Sequence, residues 1–211
     1  MDLPAAWART CAALGAVGDV SGVGERLLAA YRHPDRVYHD VRHLREVLEG
    51  VDELAAAAAD PDLVRLAAWF HDAVYVTVPA AGEGSSEELS AAMAERELRE
   101  LSVGAADRAE VARLVLLTAT HLPVEGDSNG AVLCDADLAV LARDPAGYAD
   151  YAARVRREYS AVPEPDFRAG RAAVLRSLLA GPALFSTEVA RGRWQARARS
   201  NILAELAVLE G

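Results

Sequence analysis

The stretch that most constrains this chain is Leu63-Val64-Arg65-Leu66-Ala67-Ala68-Trp69-Phe70, which leads directly into His71-Asp72. Asp60-Pro61 just upstream is a helix-start signal, with proline in the first turn. The run therefore reads as a buried helix with an imidazole and a carboxylate at its inner end. Burying that pair without partners costs a few kcal/mol or more. Something must satisfy it, and a divalent metal would, since both groups are metal ligands.

The rest of the chain offers that pair a helical setting. Most segments follow three- and four-residue apolar steps, as in Val41, Leu44, Val47, Leu48, Val51 and Leu54 after a capping Asp40. Helices are expected over Leu3–Leu14, Ser21–Tyr31, Val41–Leu54, Pro61–Phe70, Ser86–Leu101, Ala105–His121, Val132–Ala142, Pro145–Tyr159, Phe167–Leu179 and Glu188–Leu209. Ala55 to Ala59 reads as helix, not linker. Val74 to Val78 has some strand character, but it runs into Ala80 to Ser86 and reads as loop. No strand alternation or repeat emerges. The expected fold is a single all-α bundle of about ten helices spanning 1–211, with a core near 31–160 and helices over 164–210 packed on it.

Composition narrows the function. The 211 residues carry a formal charge of −10, and every cation is arginine. That balance argues against a dedicated nucleic-acid or membrane-surface binder, but leaves room for a local arginine cluster around a phosphate. Cys11 and Cys134 stand apart in no paired motif, which suits a reduced compartment. With no signal-peptide pattern and no apolar stretch approaching about 20 residues, a cytoplasmic location is expected.

Few residues can carry chemistry. His39 and His43 are four apart near a helix start, a spacing that puts side chains on one face. His33 precedes a proline in a surface turn and is set aside. His121 closes the apolar run Val111 to Thr120. In Leu133-Cys134-Asp135-Ala136-Asp137-Leu138 the two carboxylates point about 200° apart on a helix. Asp137 shares the face of Val140 and Leu141, while Asp135 reads as a cap or as a group that orients a ligand.

The order His43, His71-Asp72, then Asp137 in a helical chain resembles the HD superfamily of metal-dependent phosphohydrolases. Tyr38-His39-Asp40-Val41-Arg42-His43-Leu44, Trp69 to Tyr75, Ala119-Thr120-His121 and Asp135 to Leu138 resemble its branch of small predicted metal-dependent HD phosphohydrolases. So do Tyr148 to Tyr151, Val155 to Tyr159 and Gly170-Arg171. Two positions depart from the branch pattern. Asp40 stands where it has Asn, and Ser85-Ser86-Glu87-Glu88 stands where it has an Asp-Asn-Glu-Glu-like stretch.

The resemblance implies metal ligation by His43, His71, Asp72 and Asp137. The ion would be Mn, Fe, Co, Ni, Zn or Mg, one or two in number. Asp72 would also position a water, and His39, His121 and Glu87 are candidates for proton transfer or a second metal. Arg42, Arg156 and Arg171 are candidates for holding phosphate. Arg157 and Glu158 read as surface charge, Trp69 and Phe70 as core. Tyr38, Tyr75 and Tyr159 read as core, with stacking on a base as the alternative. Val76 to Ser86 reads as a lid.

The expected activity is hydrolysis of a small soluble phosphate ester, a nucleotide among the candidates, with a homodimer allowed by the Ala-rich outer helices. Two rivals stand beside it. One is a non-catalytic ligand-binding or regulatory helical protein with a structural metal or none; the other is a di-iron oxygenase with an HD-type site.

Overall fold

The computed structural model describes residues 1–78, 82 and 84–211. Among these, ten α-helices form the architecture and no strand occurs. They are α1 (Leu3–Ala13), α2 (Val20–Tyr31), α3 (Val41–Leu54), α4 (Pro61–Phe70), α5 (Ser86–Glu100), α6 (Ala105–Leu117), α7 (Ser128–Leu138), α8 (Pro145–Glu158), α9 (Glu164–Ala180) and α10 (Glu188–Glu210). Short 3-10 turns follow α3 at Ala55–Ala57 and α7 at Ala139–Ala142.

α4 is the central helix. Asp60 caps it by accepting from the amides of Asp62 and Leu63, both at 3.1 Å, and Pro61 opens it. Leu63, Val64 and every residue from Leu66 to Phe70 are buried. α1, α3, α5, α6 and α7 pack around it. Trp69 and Phe70 are fully enclosed as expected, each edge-on to Trp7 of α1. Pro61, Asp62 and Arg65 reach the surface, the last two paired at 2.7 Å, and the rest of the helix is apolar because it is enclosed.

α3 and α7 cross closely. A Cβ on Gly50 would lie 3.1 Å from the Ala136 Cβ and 3.2 Å from its Cα, so the bare Cα permits the approach. That crossing brings the beginning of α3 near the end of α7. α9 and α10 pack against each other, and α10 also packs on the turn after α7.

Three helices differ from expectation by more than one residue. The sixth helix stops at Leu117, not His121, because the Leu117 carbonyl accepts from the amides of Thr120 and His121 and closes the end as a turn. The seventh begins at Ser128, where Asp127 caps it through the Gly130 amide at 2.9 Å, and its last four expected residues tighten to 3-10. The ninth starts at Glu164, since Pro165 is tolerated in a first turn. The lid reading of Val76 to Ser86 falls partly on 79–81 and 83, outside the described residues.

Candidate metal centre

Four side chains from three parts of the chain meet beneath a cleft. His43 stands in the first turn of α3, His71 directly follows α4, Asp72 lies in the turn after it, and Asp137 is near the end of α7. His43, His71 and Asp137 each offer a donor within 4.8 Å of the others. Asp72 stands outside that group of three, but its Oδ2 lies 3.0 Å from His71 Nε2 and 3.3 Å from His43 Nε2. Asp137 Oδ1 lies 3.2 Å from His43 Nε2 and 3.6 Å from His71 Nε2.

These residues fit a divalent ion, on two grounds. The first is hydrogen-bond chemistry. His71 Nδ1 lies 2.8 Å from the Ala68 carbonyl, which only accepts, so that nitrogen carries the proton. Nε2 then presents a lone pair, and the Nε2 of His43 faces it at 3.1 Å. Two imidazole nitrogens and two carboxylates converging in this way call for a cation between them. The second is size. Donors 3.0 to 3.6 Å apart and both about 2.1 Å from one ion subtend roughly 90 to 120°, ordinary coordination angles.

The titration directions say the same. Burial opposes charge on His43, yet hydrogen bonds to Asp137 and Asp72 outweigh it and raise the imidazole to about 10. His71 is likewise raised against burial, chiefly by Asp72. Asp72 and Asp137 are held below the ordinary carboxylate value, their burial overcome by the surrounding histidines. The cluster keeps both carboxylates ionised and draws positive charge inward.

A shell of polar contacts aims these donors. Asp40 caps α3 by accepting from the amides of Arg42 and His43, at 2.8 and 3.2 Å. This departure from the branch pattern is thus a helix cap that sets the start of α3. Arg154 of α8 donates to Asp40 Oδ2 at 2.7 Å and to the Val37 carbonyl at 2.8 Å. Glu158, one turn on, accepts the amides of Val37, Tyr38 and His39 on one oxygen and the His39 ring on the other. Arg36 donates to the carbonyls of His39, Asp72 and Ala73, tying this loop to the end of α4. The surface reading of Glu158 is therefore corrected. Its side chain is 1% exposed, because the loop amides need a buried acceptor. Arg157 is exposed as expected.

His39 and His121 flank the donors. The His39 ring stacks on Tyr75 with centroids 3.9 Å apart, and Glu158 holds its Nδ1 at 2.5 Å. His121 has left-handed backbone, φ 54, which swings its ring back so that Nε2 reaches Asp137 Oδ2 at 2.7 Å. Among the described residues neither joins a second cluster of metal donors. Glu87 lines the cleft beside them, while Glu88 completes a capping box with Ser85 and Ser86 Oγ accepts from the Val76 amide.

The cleft has a volume of about 540 Å³, with Asp72, Asp137, His39 and His121 at its floor and α8 and α9 as its far wall. Of the three candidate phosphate-binding arginines, only Arg171 lines it. Arg42 is committed on the surface to Glu46 at 3.0 Å, with Asp150 at 3.5 Å. Arg156 closes the end of α8, donating to the Tyr159 and Val162 carbonyls and pairing with Glu164. Asp135 does not orient a ligand or cap α7. Buried, it accepts the amides of Ser186 and Thr187, each at 2.7 Å, and so anchors the start of α10. Tyr38 is buried in the core and still borders the cleft, and Tyr75 and Tyr159 line it with their hydroxyls 2.9 Å apart.

The HD domain family model matches residues 31–140, from the end of α2 through Asp137. The chain belongs to the HD domain family, whose members are mostly metal-dependent hydrolases. The match contains all four donors, His39 and His121. No curated protein matches the chain, and no solved structure does. No helix among the described residues is long and apolar enough to cross a membrane.

Proposed function

We propose that this protein is a metal-dependent phosphohydrolase acting on a small phosphate monoester. One observation carries the reading. His43, His71 and Asp137 gather, with Asp72 against both histidines, beneath a cleft rather than inside a closed shell, and Asp72 and Asp137 themselves line that cleft. A coordination site open on one side suits catalysis, whereas a structural site is closed. A divalent ion held by His43, His71, Asp72 and Asp137 would polarise a phosphoryl oxygen and acidify a bound water.

The chain's own groups supply the rest. Asp72 accepts a hydrogen bond from the attacking water and directs it. His121, bonded to Asp137 through Nε2, takes up and returns a proton at that nitrogen. His39, fixed by Glu158 at Nδ1, presents its other nitrogen for the departing oxygen. Arg171 adds a fixed cation to the wall.

The test is elemental analysis of the purified protein beside His71→Ala, followed by a phosphatase and nucleotide screen with the ion found. About one equivalent of metal, lost in the variant, with metal-dependent release of phosphate, is the expected result. Metal bound tightly with no ester turned over would leave a structural or regulatory centre and overturn the hydrolase reading.

A further inference from the structure

The cleft changes character away from its floor. Near the donors it is polar. Besides Thr118, Thr120 and Ser177, it is lined by Val140 and Leu141 after α7, Val155 of α8, and Phe167, Val174 and Leu178 of α9. Val174 is 52% exposed, an apolar side chain turned to the opening and not to the core. Such a surface, continuous with a polar floor, is how a site that grips an apolar body at one end is built.

Charge points the same way. Arg171 is the one arginine among the described lining residues, and Glu205 takes it with both oxygens, at 2.9 and 3.1 Å. Its guanidinium also lies 5.1 Å over the Tyr151 ring. The other charged lining groups besides the donors and the flanking histidines, Glu87 and Asp166, are acidic. A second or third phosphate needs unpaired cations of its own, which this wall does not provide.

Resting on the hydrolase reading above, we propose that the substrate is a phosphate monoester with an uncharged, apolar, ring-bearing leaving group, and that di- and triphosphates are excluded. Water oxygen forms the new P–O bond. The P–O bond to the leaving group breaks, its electron pair departs on the alcohol oxygen, and that oxygen takes the proton given up by the water. The products are the free alcohol and inorganic phosphate. A cleft of about 540 Å³ is within the size range that holds a drug-sized molecule, so a fused two-ring group has room.

The test uses the metal-loaded full chain with 1-naphthyl phosphate, glycerol phosphate, adenosine triphosphate and inorganic phosphate. Both equilibrium binding and turnover are read. 1-Naphthyl phosphate should bind about tenfold or more tighter than inorganic phosphate or the triphosphate, and should exceed glycerol phosphate by a similar factor in kcat/KM. In Val174→Asp its advantage over glycerol phosphate should shrink about tenfold. Equal or tighter binding of the triphosphate would overturn the proposal while leaving a hydrolase. If no ester is turned over, the hydrolase reading falls, and the binding series alone decides whether the cleft is an apolar-phosphate site.

Discussion

Glu158 holds His39 twice, accepting its backbone amide at 3.0 Å and its ring Nδ1 at 2.5 Å across 119 residues of sequence. The same carboxylate also takes two neighbouring amides. Burial works against its charge, but His39 and the loop amides hold it below the ordinary value for a glutamate. A carboxyl depressed in the folded state stabilises above its unfolded value, about 4.3, and loses that contribution as pH falls through the lower folded value. Glu158→Gln should therefore lower stability at pH 7 by about 1–3 kcal/mol and flatten the acid limb of the urea midpoint between about pH 5 and 3. An unchanged acid limb would show that the contact is not made in solution.

Asp135 and Asp137 are two apart and do different things. Asp135→Asn should leave metal content at the wild-type level while lowering the unfolding temperature, because one of the Ser186 and Thr187 amides then faces an NH2 group in place of an oxygen. Asp137→Asn should lose metal with a folded chain retained. Elemental analysis and thermal unfolding on both variants decide the assignment, and the reversed pattern would exchange their roles.

Metal removal should leave a pH-dependent protein. Without the ion, His43 is a buried imidazolium raised to about 10. A group whose folded value is raised gives its full stabilisation below the unfolded value, about 6.5, and loses it as pH rises through the folded one. Chelated protein should thus lose stability from about pH 6.5 towards 10, and metal-loaded protein should not. Metal uptake at pH 8 should release protons, which calorimetry in buffers of different ionisation enthalpy would detect. Uptake without proton release would mean His43 is already neutral.

Arg154 binds two acceptors at different points of one loop, Val37 and Asp40. Arg154→Ala should loosen the cap of α3 and weaken metal affinity by about tenfold or more. Arg154→Lys should recover little, since a single ammonium lacks the fork that reaches both. Competition with a chelator of known affinity measures each. Full rescue by lysine would reduce the role to charge alone.

Much of this was readable in sequence for a physical reason. α4 is buried from Leu66 to Phe70, so its apolar run is unbroken there and the polar pair at its end stands out. His43, His71 and Asp137 sit at helix ends on core-facing positions, where periodicity places them. What failed to show was pairing across distance. Arg154 and Glu158 look like ordinary helix charges until their spacing from Tyr151 and Val155 is counted. All four lie on one face, and that stripe was the available signal. The role of Asp135 is hidden because its partners belong to a connection 51 and 52 residues later, which no local pattern announces. Arg42 and Arg156 were proposed as phosphate-binding groups for their place in motifs, yet helix geometry turns both towards nearby carboxylates. The run before His121 reads as helix, and nothing in it signals the left-handed turn that delivers its ring.

The bare Cα of Gly50 has a meaning beyond packing. It lies on α3 two turns from His43 and touches the residue next to Asp137. The separation of these helices is thus a calliper whose jaws are an imidazole and a carboxylate. A methyl at position 50 would push Ala136 away by a few tenths of an ångström. That is the scale on which bond lengths to small and large divalent cations differ, about 2.1 Å for magnesium against about 2.4 Å for calcium. Through one missing side chain, the spacing of two donor-bearing helices is held to within a few tenths of an ångström.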